Sequence, residues 1–276
     1  MRFQTCLMLL PLLFVCLGSN LPAVSAQTET TTDDGGIVWA ANYIYARGMG
    51  LPPRNAIVEA RRKVYARLAA KTNAQRHLLE VIKGIRIDAK VQMVNMMVTD
   101  SKVRSEVTGH LGKFANIVED SEKWDGEYYE LQMRIPIKGF YRIVYEREED
   151  KFLPPESFEE RSVDESECTG VVIDCRGLKL TACVRFQIIS EDKRYMYGVK
   201  NALFRVAADR GLVGYSTSVE KAMKDKRVGR KPRLIKAIGI KNEVDVVIRS
   251  ADVEFIHSIA HTTDILAKCK VIVVMD

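Results

Sequence analysis

The longest periodic pattern in the chain runs from Arg54 to Lys83, where apolar or small residues recur at the three-and-four spacing of one helical face. The residues on this face are Ile57, Ala60, Val64, Leu68, Leu79 and Ile82. Arginine and lysine side chains at positions 61, 62, 63 and 67 occupy the other directions, and Gly84 is a stop signal. The pattern predicts one long amphipathic helix whose apolar face meets the core.

The rest of the first half mixes strand and helix patterns. Residues 37–46 are rich in aromatic and β-branched types, and residues 85–93 alternate with period two, so both predict strands. Residues 100–111 carry Val103, Val107 and Leu111 at helical spacing, which predicts a shorter helix. Asp125-Gly126 between the β-prone runs 114–123 and 128–137 predicts a hairpin. Gly48-Met49-Gly50 indicates a strand end rather than a phosphate loop, because Pro52 and Pro53 remove two backbone donors.

The second half begins after a charged stretch, Glu146 to Glu160, that contains Pro154-Pro155 and predicts a linker. Beyond it, the patterns predict strands over 169–175, 182–189, 244–249 and 268–274 and helices over 199–210 and 250–261. The expected fold class is α+β, with two small domains that each contain a short, mostly antiparallel sheet packed by one long and one shorter helix. The predicted divisions are 1–26 signal peptide, 27–36 disordered lead-in, 37–145 first domain, 146–166 linker and 167–276 second α/β domain.

The first 26 residues have the pattern of a secretory signal peptide. A basic start, an apolar run from Cys6 to Leu17 and small residues ending at Ala26 predict cleavage after Ala26. The apolar run is shorter than the ~20 residues that span a bilayer. Cys16 follows large residues rather than the small ones that lipidation needs, so lipoprotein anchoring is not favoured. We expect a periplasmic or secreted protein with no transmembrane segment after removal of the signal.

Charge narrows the choice of partners only slightly. The chain carries a net charge of +6, and loss of Arg2 with the signal peptide leaves +5. This mild excess suits an anionic envelope surface without requiring one, and an exported protein is not expected to meet nucleic acid. Envelope proteins remain equally compatible partners, and a homo-oligomer stays open.

Two segments carry a family resemblance: GMGLPPRNAIVEARRKVYARLAAKTNAQRHLLEVIKGIRID and DGEYYELQMRIPIKG. Over roughly residues 37 to 140 the chain resembles the LPP-twenty lipoprotein family and the related N-terminal domain of flagellar assembly protein T. The resemblance implies an α+β envelope module without known enzymatic activity, in some members a piece of the flagellar outer ring. TGVVIDCRGL also resembles a stretch of uncharacterised exported proteins that carry this domain.

His257 and His261 form the sharpest candidate for a chemical site. Histidines four residues apart share a helical face and can ligate one zinc ion, with Asp264 as a third ligand. The glutamate that zinc peptidases use as base is missing beside the first histidine, and ordinary helix histidines are the favoured reading. No Gly-x-Ser-x-Gly motif and no marked pair of carboxylates is present. The sequence therefore favours a protein that is not an enzyme and uses no cofactor.

Residues 221–241 form the most basic stretch, with nine lysines or arginines against Asp225. A patch within it could hold an anionic partner, and the alternative is a solvated loop. The residues of this candidate patch are Lys226, Arg227, Arg230, Lys231 and Arg233.

Four cysteines remain after removal of the signal: Cys168, Cys175, Cys183 and Cys269. Export permits disulfides, and Cys175 and Cys183 could pair if residues 176–182 turn the chain. Small buried free thiols are the alternative.

Taken together, these patterns predict an exported, non-enzymatic protein that acts as a binding or assembly module of a cell-envelope complex. A flagellar outer-ring or motor accessory component is the alternative of the same class. A metal-dependent hydrolase that uses His257 and His261 is the alternative of a different class.

Overall fold

A computed structural model describes residues 28–32, 34–154 and 168–276 of the chain. The predicted signal peptide and most of the predicted linker lie outside the described residues. The helices are α1 (Glu59–Lys83), α2 (Met93–Thr99), α3 (Ser101–Phe114), α4 (Lys138–Tyr145), α5 (Phe204–Arg210), α6 (Val219–Met223) and α7 (Ser250–Thr262). The strands are β1 (Thr28–Thr32), β2 (Gly35–Val38), β3 (Tyr43–Gly50), β4 (Asn116–Ile117), β5 (Lys123–Trp124), β6 (Tyr129–Pro136), β7 (Gly170–Asp174), β8 (Gln187–Ser190), β9 (Tyr195–Tyr197), β10 (Gly214–Ser216), β11 (Pro232–Lys236), β12 (Gly239–Lys241), β13 (Asp245–Ile248) and β14 (Val271–Val274).

The first half is an antiparallel sheet covered by α1. Its six strands run in the order β1-β2-β3-β6-β4, with β5 also paired to β6. The predicted hairpin forms at Asp125-Gly126, and alternate residues of β6 from Tyr129 to Ile135 are buried, as the period-two pattern predicts. The predicted helix over 100–111 forms as α3, because the Asp100 carboxylate accepts hydrogen bonds from the backbone N–H groups of Lys102 and Val103.

Three predictions for the first half are wrong. Residues 37–46 are not one strand, since a turn at Asn42 (φ 56°) separates β2 from β3. Residues 85–93 form a loop rather than a strand, because the Asp88 side chain accepts from two backbone N–H groups ahead of it and folds the segment back. Part of the expected disordered lead-in forms β1, since pairing with β2 requires only backbone groups.

The second half contains a parallel sheet, which corrects the expectation of mostly antiparallel strands. Strands β10, β14, β7 and β11 lie side by side in that order, and all pairs are parallel. The runs Gly170–Ile173 and Val271–Val274 are buried at every position, as is typical of parallel strands covered on both faces. A second four-stranded sheet has the order β12-β13-β8-β9, with β13 and β8 parallel. The α+β class itself is confirmed.

The two halves share one hydrophobic core. The buried Tyr145 on α4 donates its hydroxyl to the carbonyl of Val184 at 2.6 Å. The rings of Trp39 and Tyr215 meet edge to face with their centroids 5.4 Å apart. Phe152, within the predicted linker, is buried between the rings of Tyr145 and Phe204. Within the described ranges, no helix is both long and apolar enough to cross a bilayer.

Candidate functional site

Exposed apolar side chains are concentrated on the outer face of the first turns of α1 and in the two residues before the helix. Ile57 is 92% exposed, Val64 64% and Leu68 61%. Val58 and Tyr65 beside them are about half exposed. We call these five residues the α1 ridge. The helical members, Val64 to Leu68, span about 6 Å at 1.5 Å per residue, and Ile57 and Val58 lie just before the helix begins.

The ridge overturns the predicted orientation of α1. The pattern assigned Ile57, Val64 and Leu68 to the face that meets the core, but in the structure they face away from it. The buried side of this part of the helix consists of alanines instead, at Ala66, Ala70 and Ala74. The prediction that this face meets the core is confirmed only near the C-terminal end of α1, where Ile82 is buried.

Two glycines of β3 explain why alanines face the sheet. A Cβ at Gly48 would lie 2.1 Å from the carbonyl oxygen of Ala70, and one at Gly50 would lie 2.2 Å from that of Ala66. The helix backbone therefore rests directly on the strand, at a separation that larger side chains cannot enter. Since the near face accepts only small residues, the larger apolar residues of the same segment are left on the outside.

Polar contacts fix α1 in this orientation. The indole Nε1 of Trp124 donates to Glu59 at 2.9 Å, and Arg67 donates to Glu122 at 2.6 Å. The hydrogen bond from Arg67 lowers the pKa of Glu122, which favours the charged carboxylate and so maintains this ion pair. Asn73 donates to the carbonyl of Met49 on β3 at 3.2 Å. These contacts lie along the flanks of the helix and leave the ridge uncovered.

Basic residues surround the ridge. Glu59 is the one acidic residue between positions 54 and 72, and it already contacts Arg62 and Trp124. Arg54, Arg61 and Lys71 are exposed and form no ion pair within the described part of the chain. Uncompensated positive charge therefore accompanies the exposed apolar side chains.

The predicted histidine pair is described only in part. His257 lies exposed on α7, and the side chain of His261 is outside the described residues. Asp264, considered as a third ligand, is buried and contacts Lys268 Nζ at 2.5 Å. Among the described residues, no group of three or more His, Cys, Asp or Glu side chains is arranged to hold a metal ion. The zinc site stays a prediction that the geometry of Asp264 does not favour.

Arg227 differs from the other residues of the candidate basic patch, because it is only partly exposed and its guanidinium is directed at the backbone. Its guanidinium donates to three backbone carbonyls, those of Arg210, Gly211 and Cys269, at 2.6–2.8 Å. Two of these carbonyls belong to the C-terminal end of α5, where a positive charge is favourable. Burial lowers the pKa of Arg227. Arg233 lies over the ring of Phe255, and Lys226, Arg230 and Lys231 remain exposed.

The cysteines are free thiols in the structure, including Cys175 and Cys183, for which a disulfide was considered. Cys175, Cys183 and Cys269 are buried, whereas Cys168 is half-buried. Burial raises the pKa of Cys175 to about 12 and also raises that of Cys269. The buried thiols have the character of core residues.

A cleft of about 320 Å³, lined by both apolar and charged side chains, lies where the two halves meet. Its acidic groups already have partners: Asp88 contacts Arg185 at 2.6 Å, and Asp245 accepts from Gln187 at 2.8 Å and from Asn242 at 2.9 Å. These side chains therefore join the elements around the cleft to one another, and its acidic groups are not left unpaired for a ligand.

Comparison with known families gives a match in the second half. Residues 170–276 match a family model described as the second domain of Treponema pallidum Tp0624. The match covers less than half of the chain, and the α1 ridge lies outside it. No curated protein matches the chain.

Proposed function

We propose that this protein is an exported, non-enzymatic binding module of the cell envelope and that the α1 ridge is its contact surface. The observation that carries the proposal is the exposure of Ile57, Val64 and Leu68 in one place on a well-packed fold. Contiguous exposed apolar surface on a folded protein marks a site of interaction more often than single scattered residues do. The signal-peptide pattern and the resemblance of residues 37–140 to envelope modules support the compartment.

The packing of β3 against α1 strengthens this proposal. Exposed apolar residues are often accommodated by repacking, but α1 cannot rotate to bury the ridge, since Gly48 and Gly50 accept only the alanine face. The exposure of the ridge is therefore imposed by the packing of α1 on β3. Contact with a partner would bury these apolar side chains without changing that packing.

Photocrosslinking in cells tests the proposal. A photoreactive residue at Leu68 should give adducts with envelope components, because this side chain belongs to the contact surface and is 61% exposed. The same residue at Val98 on α2, which is 68% exposed, is the matched control and should give few adducts. Equal labelling at both positions, or only unmodified monomer at position 68, would contradict the proposal. The identity of an adduct also separates a general envelope partner from a flagellar ring or motor protein.

A further inference from the structure

We infer that the partner of the α1 ridge is the surface of an anionic phospholipid bilayer. The inference rests on the proposed function and specifies what its contact surface meets. Three properties of the ridge carry it: its shape, the identity of its side chains and the charges around it.

The shape of the ridge suits a flat interface. One side of α1 rests on the sheet through its alanines, so the ridge projects from the opposite side as a convex row of side chains. A protein partner would need a groove complementary to this row. The interfacial region of a bilayer accepts such a row directly, with apolar side chains entering between the headgroups.

The side chains also suit that interface. Ile57, Val64 and Leu68 supply the apolar line, and Tyr65 beside them has an apolar ring with a polar end. Arg61 lies on the ridge itself, between Val58 and Val64. Arginine can lie with its apolar stem along the ridge while its guanidinium reaches a phosphate, so its position does not interrupt the contact.

The charges select an anionic partner and disfavour a second copy of the chain. Pairing two ridges would bring Arg54, Arg61 and Lys71 of one molecule towards the same residues of the other, and Glu59, the one acidic residue between positions 54 and 72, is already held by Arg62 and Trp124. An anionic lipid surface supplies the opposite charge, and each basic residue near it strengthens binding. Because only a few charges and apolar residues take part, binding should be reversible and weakened by salt.

Vesicle cosedimentation tests the inference with the chain from Gln27 onwards, which contains every residue that the structure describes. We expect binding to vesicles of phosphatidylcholine mixed with phosphatidylglycerol and little binding to phosphatidylcholine alone. Added salt should weaken the interaction. Arg61→Glu should weaken it by at least about tenfold, since it removes one favourable charge and adds an unfavourable one. Val64→Gln combined with Leu68→Gln should weaken it by a similar factor.

Two controls separate the ridge from general surface effects. Arg205→Glu changes the charge of an exposed arginine on α5, and Val98→Gln removes an exposed apolar residue on α2. Both should bind anionic vesicles as the unmodified chain does. In addition, Tyr65→Trp should give a blue-shifted fluorescence on binding, whereas Val98→Trp should not. Circular dichroism confirms that each variant is folded.

The possible failures are distinguishable. If anionic vesicles do not bind the protein, or if binding survives the ridge substitutions, the lipid inference is overturned. Specific crosslinks from Leu68 to an envelope protein would then leave the proposed function standing. Loss of both the vesicle binding and the crosslinks would overturn the proposed function as well.

Discussion

The carbonyl oxygen of Ala70 in α1 lies 2.1 Å from the point where a Cβ on Gly48 of β3 would stand. A methyl group there meets backbone, which cannot rotate away as a side chain can. We therefore expect Gly48→Ala to lower the free energy of unfolding by about 3 kcal/mol or more. Urea denaturation followed by circular dichroism measures the change.

Gly112 on α3 provides the matched control. No heavy atom lies within 4 Å of a Cβ built there. Gly112→Ala should leave stability unchanged or raise it by up to about 1 kcal/mol, because alanine favours the helix. If both substitutions had equal effects, the close approach of α1 to β3 would not be responsible.

Arg227 should be far more important for stability than its neighbour Lys226. Arg227→Met leaves three backbone carbonyls without their donor, and we expect a loss of about 3 kcal/mol in the free energy of unfolding. Lys226→Met, at an exposed position, should change stability by less than about 0.5 kcal/mol. Thermal denaturation compares the two variants. A similarly small change in both variants would contradict a structural role for Arg227 and would favour the exposed basic patch that the sequence predicted.

His110 should make the fold sensitive to mild acid. Burial against Phe114 and Phe140 lowers the pKa of His110 below its ordinary value of 6.5, nearby Lys113 acts in the same direction, and a hydrogen bond with the Pro136 backbone opposes them. The unfolded chain therefore takes up a proton that the folded imidazole resists, and stability falls as pH drops below that ordinary value. His110→Gln should flatten this part of the profile measured between about pH 8 and pH 5. A profile parallel to that of the unmodified chain would contradict the assignment.

Thiol labelling distinguishes the half-buried cysteine from the three buried ones. Because the thiolate is the reactive form, the raised pKa of Cys175 and Cys269 adds to their burial in slowing alkylation. We expect Cys168 to be labelled first in the native protein and all four thiols to be labelled after denaturation. Mass spectrometry locates the labels. Two blocked thiols at Cys175 and Cys183 would show the disulfide that the sequence left open.

The predicted export of the protein implies a defined N-terminus of the mature chain. A cell that secretes the protein should yield a mature chain beginning at Gln27, since the small residues ending at Ala26 fit a signal peptidase site. N-terminal sequencing of the protein from the envelope fraction identifies this residue. Recovery of the chain with Met1 intact would contradict export, whereas a lipid-modified Cys16 would contradict the predicted cleavage site.

Elements set by neighbouring residues could be predicted from the sequence. Asp100 caps α3 through its own carboxylate, Asp125-Gly126 makes its turn, and the alternation along β6 gives the buried face. Each depends on groups within a few residues of one another. Local rules therefore apply without knowledge of the rest of the fold.

Features that depend on distant partners could not be predicted in the same way. The apolar period of α1 predicts the helix, but the orientation of the helix depends on Gly48 and Gly50, which belong to another element. The sequence does contain an indication of this orientation. Ala66, Ala70 and Ala74 are spaced four residues apart, and such a row of alanines can approach a glycine-containing strand closely. The order of the parallel strands depends on pairing between residues as distant as Val171 and Val271. No short window of sequence contains that information.

The shared core of the two halves determines how the molecule unfolds. Tyr145 reaches Val184, Trp39 meets Tyr215, and Asp88 holds Arg185 across the junction. Neither half can lose these contacts without exposing buried surface of its own, so we expect both to melt in a single cooperative transition. Cutting the peptide at a protease sequence inserted between residues 155 and 167 should thus leave two fragments that copurify. The stretch matched by the family model is, in this protein, one partner of an intramolecular pair rather than a separable module.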